Sequence, residues 1–188
     1  MSMLGGLPPE KVEELKALYA QLMEWVLHKY VLHGIGKKRD APFSFHFHEH
    51  HRASRTQLFQ DDHYKENPWG WNAAGKETYS LIGLAILHLP LAVVFPFFWL
   101  GSVLSAVRYF HAHRKAHLDP EWCKRTIPWH YDHHMGTDQN SNWGVRSQMF
   151  DRLLGTRVVY AGTKKEIIKY RNYKVFGKYA LRSRSNKR

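Results

Sequence analysis

The stretch IPWHYDHHMGTDQN, residues 127–140, places three histidines within five positions. On a helix, residues at i, i+3 and i+4 share a face, so His130, His133 and His134 point their ring nitrogens into one volume. Three neighbouring imidazoles favour a bound metal, which keeps the rings neutral, over an ordinary core. The spacing therefore predicts a helix that carries metal ligands.

Three more histidine clusters precede this helix in the chain. His28 and His33 lie five apart, FHFHEHH (45–51) holds four histidines, and His113 and His117 lie four apart. The candidate ligands are His28, His33, His46, His48, His50, His51, His113, His117, His130, His133 and His134. Imidazole suits iron, copper and zinc, and so many ligands exceed the needs of one ion with an open position, so we predict two metal ions. The isolated histidines are expected to be structural or solvent-facing: His63, His88 and His111.

The composition is that of one basic domain. The chain has 188 residues and a net charge of +12 with histidines counted as neutral. This length suits one core, so we expect a single domain over 1–188, with the histidine clusters within 24–157 and a basic tail over 158–188. The single cysteine, Cys123, excludes an internal disulfide and a metal site built from cysteines.

Most of the chain is predicted to be helical. The first helix begins near Pro8, because a first turn tolerates proline, and ends at Gly34. Its apolar positions recur at intervals of three and four and predict one buried stripe: Val12, Leu15, Leu18, Leu22, Trp25 and Val26. We therefore expect an all-α fold, a helical bundle that carries the dimetal site.

One apolar segment predicts contact with a membrane. Residues 81–104 carry no charged side chain and approach the roughly 20 residues that span a bilayer. Pro90 and Pro96 disfavour one straight helix, so we expect two legs meeting at a turn within 79–110. Legs of about 24 Å are shorter than a hydrocarbon core of ~30 Å, which predicts a short membrane-embedded helical hairpin. The alternative is a buried hairpin in a soluble core.

The order of the clusters resembles that of the histidine boxes in the membrane-bound fatty acid hydroxylase and sterol desaturase superfamily. HKYVLH (28–33) is similar to its HxxxxH box, HRKAH (113–117) to HxxxH, and HYDHH (130–134) to HxxHH. NWGVRSQMFDRLLGTR (142–157) is similar to the family's downstream Asn-aromatic-Gly followed by Asp and Gly-Thr. The resemblance covers roughly 24–157 and implies a helical, non-haem di-iron oxygenase that hydroxylates or desaturates an unactivated C–H bond of a lipid.

The second box departs from the family pattern. FHFHEHH places Phe47 at a ligand position of HxxHH, with His46 and His48 on either side. On an ideal helix at about 100° per residue, each neighbour lies near one of the two following histidines, so either can substitute. Our choice is His48, which shares a face with His51 at i, i+3. Glu49 adds a candidate carboxylate ligand.

The resemblance also implies cofactors and partners. It implies two iron ions, which zinc can replace in purified protein, together with O₂, a lipid substrate and an external electron donor resembling cytochrome b5 or ferredoxin. We expect a membrane location with the metal site on the cytoplasmic side, basic residues against anionic headgroups, and no nucleic-acid partner. Family members usually have two pairs of spanning helices, whereas this chain has one apolar segment, which leaves oligomer formation open.

Further side chains are expected around the metals. Asp132 and Asn142 are candidates to orient the ligands through hydrogen bonds. The aromatic residues expected to line the approach to the site are Trp25, Phe45, Phe47, Trp129 and Trp143.

Two other functions fit part of the pattern. A zinc-dependent hydrolase would use imidazole ligands, although histidine-only sets this large are unusual for hydrolysis. A non-catalytic basic protein, bound to a membrane or to nucleic acid and holding a structural metal, would bind in a salt-sensitive way without consuming O₂. Metal identity and O₂ consumption separate these alternatives from a lipid hydroxylase.

Overall fold

The first helix of the chain leads directly into the first histidine pair. The computed structural model describes residues 8–174, which form helices and loops with no β-strand. The elements are α1 (Pro9–Val26), the π-helical segments π1 (Leu27–Ile35) and π2 (His46–His51), α2 (Arg52–Thr56), a 3₁₀ turn (Asp62–Lys65), α3 (Ala73–Leu87), α4 (Leu89–Val94), α5 (Pro96–Leu118), α6 (Pro120–Thr126), α7 (Pro128–Met135), α8 (Met149–Leu153) and α9 (Lys164–Asn172). The predicted all-α fold is confirmed for this part of the chain. The end of the predicted basic tail, residues 175–188, lies outside the described residues.

Proline and a capping carboxylate set where several helices begin. α1, α4, α5, α6 and α7 each have proline in their first two positions, where no helical hydrogen bond is lost. The Asp119 carboxylate accepts a hydrogen bond from Trp122 N (2.9 Å) and caps α6. The breaks expected near Pro90 and Pro96 are present, because α4 begins at Leu89 and α5 at Pro96.

Histidines occupy the centre of the fold. They come from π1, π2, α5 and α7, so these elements surround one polar interior. A small apolar cluster packs beside them: Phe59, Ala116, Cys123, Ile127, Tyr131, Met135, Val145 and Tyr160. Buried polar rings lose their hydration and need hydrogen-bond partners or ligands to offset that loss.

A buried carboxylate fastens the loop after α7 to α1. Asp151 accepts a hydrogen bond from Trp25 Nε1 of α1 at 3.1 Å. It also accepts hydrogen bonds from the backbone amides of Trp143 and Gly144, each at 2.8 Å, and from Thr156 Oγ1 at 2.7 Å. These bonds hold the loop backbone close to the histidines of π1.

The apolar stripe predicted on α1 is only partly buried. Trp25 is buried, but the leucines of the stripe expose about two fifths of their surface: Leu15, Leu18 and Leu22. The prediction of a wholly buried stripe is wrong for these leucines. The reason is that α1 contacts α5 at one edge of this stripe, where the rings of Tyr19 and Phe98 lie 5.1 Å apart.

The segment predicted to enter a membrane forms the end of α3, all of α4 and most of α5. Trp99 Nε1 donates a hydrogen bond to Ala85 O (3.0 Å) and ties α5 to α3. Several apolar side chains around the turn are exposed: Ile86, Leu87, Leu89, Val93, Val94, Phe97 and Leu100. No helix within residues 8–174 has the length and apolar character needed to cross a membrane. Embedding of this segment in a membrane stays a prediction.

Candidate metal centre

Five histidines meet where π1, π2 and α7 come together. One ring nitrogen of each lies within 4.8 Å of the others, and all five side chains are buried. This first histidine group consists of His28, His33, His46, His51 and His133. The Nε2 atoms are 3.1 Å apart in the pairs His28–His46 and His33–His51, and 3.2 Å apart between His133 and His33.

A second histidine group lies beside the first. It consists of His50, His113, His117 and His134, whose ring nitrogens also lie within 4.8 Å of one another. His130 adjoins this group, because its Nε2 atom is 3.1 Å from that of His117. Every candidate ligand except His48 is therefore in one of the two groups or in contact with one.

The nitrogen spacing fits metal coordination. A metal–nitrogen bond of about 2.1 Å separates neighbouring ligand atoms by about 3.0 to 3.4 Å in octahedral or tetrahedral geometry, and the closest Nε2 pairs fall in this range. In the second group, Nε2 of His50, Nε2 of His113 and both ring nitrogens of His134 are buried with no hydrogen-bond partner in the described chain. Converging lone pairs repel unless a cation lies between them. Each group can therefore hold a metal ion.

Both histidine pairs of the first group lie on π-helical turns. A π-helix closes i→i+5 hydrogen bonds, so residues five apart lie on one side of it. His28 and His33 have this spacing in π1, and His46 and His51 have it in π2. On an α-helix such residues would be about 140° apart and would not converge. The wider turn of the π-helix therefore brings the two histidines of each pair to one side, where both could bind one ion.

His48 lies outside both groups. Its Nε2 atom is 2.9 Å from Lys37 O, so the ring contacts the loop before π2. The structure thus places His46 in the first group and our choice, His48, in neither, because π2 does not have the α-helical spacing that this choice assumed. Glu49, the candidate carboxylate ligand, also belongs to neither group and instead pairs with Lys76 Nζ at 2.6 Å.

The isolated histidines are not part of the two groups either. His63 Nδ1 is 2.7 Å from Asp61, His88 Nε2 is 2.9 Å from Tyr19 Oη, and His111 is exposed. These placements agree with the prediction that all three are structural or solvent-facing.

Backbone carbonyls orient two ligands of the first group. His28 Nδ1 donates to Trp143 O and His133 Nδ1 donates to Ser141 O, both at 2.6 Å. A neutral ring whose Nδ1 carries the proton presents a lone pair at Nε2, the atom that faces the group. Asn142 lies between the two carbonyls in a left-handed conformation with a φ of 59°. This turn aims both carbonyls at ligands.

The side chains of Asp132 and Asn142 bind loop backbone and the Arg157 side chain and make no hydrogen bond to a histidine of either group. The Asp132 carboxylate accepts hydrogen bonds from Tyr160 N (3.0 Å) and Ala161 N (2.6 Å). The Asn142 side chain donates to Val158 O (2.8 Å) and accepts from Val158 N (2.8 Å). The expected direct bonds to histidines are therefore absent for these two residues, which instead hold the loop that carries the orienting carbonyls.

Two carboxylates that the sequence did not predict orient histidines of the second group. Asp61 Oδ2 accepts a hydrogen bond from His50 Nδ1 (2.7 Å), and Glu77 Oε1 accepts one from His113 Nδ1 (2.6 Å). Both carboxylates are buried. Carboxylates in this position fix the ring and raise the basicity of the ligand. No local spacing marks them, because Glu77 lies 36 positions before its histidine.

A strained turn orients His117 of the second group. Leu58 and Phe59 have φ values of 55° and 82°, which side-chain-bearing residues rarely adopt. Phe59 O accepts a hydrogen bond from His117 Nδ1 (2.9 Å), and the two rings stack with centroids 4.5 Å apart. Strain of this kind persists at functional sites when the surrounding structure imposes it.

Burial lowers the pKa of several candidate ligand histidines, among them His28, His46, His51 and His134. Loss of hydration is the main cause, and repulsion between neighbouring rings lowers the pKa further. The pKa of His28 falls to about 4, and those of His46, His51 and His134 fall well below the ordinary value of 6.5. These rings are therefore neutral near pH 7, which is the form that binds metal.

An apolar cavity of about 930 Å³ reaches the first histidine group. Its walls come from α1, α3 and α5, and His28 and His46 lie in its inner wall. Trp71 and Leu87, which lie at opposite ends of α3 and expose 82% and 74% of their surface, also line it, so the cavity reaches the surface of the protein. The volume lies within the range typical of small-molecule sites.

Only one of the five aromatic residues expected on the approach lines this cavity. That residue is Phe45. The indole nitrogen of Trp25 donates a hydrogen bond to Asp151, and that of Trp129 donates one to Val145 O. These two side chains therefore stabilise the fold around the histidines. The remaining two pack on ligand rings: Phe47 and Trp143.

The resemblance to the hydroxylase and desaturase superfamily rests on the histidine boxes. Comparisons of the chain with protein-family models, with curated proteins and with solved structures gave no match. The histidine groups and the cavity are therefore the basis of the function proposed next.

Proposed function

We propose that the protein is an O₂-dependent, non-haem di-iron hydroxylase of a lipid C–H bond. The observation that carries the proposal is the apolar cavity that ends at His28 and His46 of the first histidine group. A hydrolytic site needs water at the metal, whereas an apolar approach favours a hydrocarbon chain and disfavours water. The size of the ligand set also suits two ions.

The two irons would supply the oxidative chemistry: with two electrons from an external donor and two protons, one O₂ yields a hydroxyl group on the substrate and one water. The chain's own residues hold the metals and the substrate. The carboxylates of Asp61 and Glu77 keep the Nδ1 protons of His50 and His113 in place, so the Nε2 atoms stay available as ligands.

The cavity walls position the substrate and exclude water. Tyr109 lines the cavity and stacks on the ring of His113 with centroids 5.5 Å apart. It therefore forms part of the wall between the cavity and the second histidine group. Ala106, one turn before Tyr109 on α5, also lines the cavity, and its small side chain leaves room for an alkyl chain at this point.

The exposed apolar residues around α4 support a membrane location. Val93 and Phe97 expose 86% and 77% of their surface. Exposed apolar patches mark interaction sites, and a bilayer accepts such side chains. A lipid substrate would enter the cavity from this side, past the exposed lining residue Leu87.

The proposal is tested by mass spectrometry of lipids exposed to purified protein. The protein is loaded with Fe(II) without oxygen, then given O₂, a chemical reductant and a lipid extract. A gain of one oxygen atom that depends on O₂ indicates hydroxylation, whereas a loss of two hydrogen atoms indicates desaturation. Failure to see either change in protein that holds two irons would overturn the proposal.

A matched pair of variants tests the role of the cavity. Ala106→Trp fills the cavity and should abolish product formation while both irons remain bound. Val107→Trp changes the next residue, which is half-exposed and does not line the cavity, and should leave product formation unchanged. Equal activity in the two variants would show that the cavity does not hold the substrate.

A further inference from the structure

The cavity has two distinct ends. Its inner end is marked by His28 on π1, which directly continues α1, by Glu77 on α3 and by Tyr109 on α5. All three lie at or next to the histidine groups. Its outer end is marked by the most distant lining residue of each helix: Tyr19, His88 and Trp99. All three helices therefore run from one end of the cavity to the other.

A polar pair stands at the outer end. Tyr19 Oη lies 2.9 Å from His88 Nε2, and His88 Nδ1 lies 2.8 Å from Leu84 O. A carbonyl only accepts, so in the neutral ring Nδ1 carries the proton and Nε2 accepts the hydrogen bond from Tyr19. The Tyr19 hydroxyl thus donates its hydrogen to His88, and its oxygen remains available to accept a hydrogen bond from a ligand.

The other polar side chains beside this pair are already engaged. Trp99 Nε1 donates to Ala85 O (3.0 Å), and Ser102 Oγ donates to Phe98 O (3.0 Å). The two cationic side chains among the lining residues lie toward the inner end and are paired with carboxylates: Lys76 with Glu49 and Arg146 with Glu24. The outer end thus offers a hydrogen-bond acceptor without a free positive charge.

We propose that Tyr19, held by His88, binds the polar end of the substrate, and that this end is a hydroxyl group that donates to Tyr19 Oη. The inference rests on the proposed function for the opposite end, where the chain is oxidised. A carboxylate at this position would be desolvated without a compensating charge, which is costly, so a neutral donor fits better. The substrate class is a long-chain or polycyclic alcohol.

The helices set the distance between the polar end and the oxidised carbon. From Tyr19 to His28 is nine residues, and from His88 back to Glu77 is eleven, which give about 13 to 16 Å at 1.5 Å per residue. A fully extended chain advances about 1.2 Å per bond, judged from the span of an extended polypeptide. The alcohol and the oxidised carbon are therefore separated by about 11 to 13 bonds.

Binding of brominated lipids tests the proposal without turnover. Trp99 lines the outer end, so a bound dibromo-octadecanol quenches its fluorescence. The methyl ether of the same lipid accepts hydrogen bonds but cannot donate one. We expect metal-free wild-type protein to bind the alcohol about 5- to 10-fold more tightly than the ether, as one net hydrogen bond provides.

Tyrosine variants identify the acceptor. Tyr19→Phe should bind alcohol and ether equally, whereas Tyr30→Phe, at an exposed position that does not line the cavity, should keep the preference. Equal binding of the two lipids by wild-type protein, or a preference retained in Tyr19→Phe, would overturn the proposal. Because no metal is present, these results are independent of whether the loaded protein hydroxylates a lipid.

Discussion

The ring of His51 stacks on the ring of His134 with centroids 4.1 Å apart. His51 belongs to the first histidine group and His134 to the second, so this contact joins the two. Ions held in the two groups would be close neighbours, as in sites where two metals act on one substrate. The arrangement makes a separate prediction for each group.

We expect reconstituted protein to hold two metal ions per chain, one in each group. His33→Ala removes a ligand from the first group alone, and His113→Ala removes one from the second group alone. Elemental analysis should find about one ion in each variant. His111→Ala, at an exposed position on the same helix as His113, should retain both ions. A single ion in wild-type protein would contradict the prediction.

The π-helical turn of π2 predicts unequal effects at its first two histidines. His46→Ala should lower metal affinity or activity by about 10- to 100-fold or more, because it removes a nitrogen that lies 3.1 Å from that of His28. His48→Ala should have a mild effect, because its ring contacts Lys37 O outside both groups. Metal titration of the two variants checks this, and a larger loss from His48→Ala would contradict the structure.

The ligand types could be predicted from the sequence, but their exact set could not. Clustered histidines indicate a candidate metal site because no ordinary core requires them, and ten of the candidates lie in or beside the two groups. The placement of His46, rather than His48, beside the other histidines could not be predicted, because it depends on the helical period, which is set by the π-helical hydrogen bonds of π2. A period of this kind leaves no signal in the spacing of apolar residues.

The orienting groups were less predictable than the ligands. Every residue has a backbone carbonyl, so the sequence does not indicate which carbonyl will orient a histidine. The direction of Trp143 O depends on the left-handed conformation of Asn142. Asp61 and Glu77 meet their histidines only through the tertiary fold. In the segment NWGVRSQMFD (142–151), the structure explains why Asp follows Asn-Trp-Gly at this distance. The Asp151 carboxylate accepts hydrogen bonds from the backbone amides of Trp143 and Gly144.

The orienting carboxylates should matter for metal affinity. Glu77→Gln and Asp61→Asn keep the side-chain size but remove the charge that holds the Nδ1 protons of His113 and His50. We expect metal affinity to fall about 10- to 100-fold in each, measured by competition with a chelator. Glu121→Gln, on an exposed side chain, is the matched control. Unchanged affinity in both orienting variants would exclude this role.

Acid should destabilise the metal-free protein. The pKa of His28 is about 4 when folded and ordinarily 6.5, so between these values the unfolded chain binds a proton that the folded chain does not. The contribution to stability is complete above pH 6.5 and is lost as the pH falls toward 4, with a slope of ~1.4 kcal/mol per pH unit for each such histidine. Urea unfolding on both sides of pH 6.5 measures this slope. A free energy of unfolding that is constant across this window would contradict the prediction.

The exposed residues around α4 should bind lipid bilayers. Val93→Asp and Phe97→Asp place charges on side chains that expose 86% and 77% of their surface, so the folded protein should tolerate them. Burying a valine or phenylalanine side chain in an apolar phase is worth about 1.5 to 3 kcal/mol, so each substitution should weaken binding to phospholipid vesicles at least about tenfold. Leu153→Asp, on α8 with 74% of the leucine exposed, is the control for added negative charge and should bind as wild type does. Vesicle flotation measures the bound fraction, and equal binding by all three variants would show that the α4 region does not contact the bilayer.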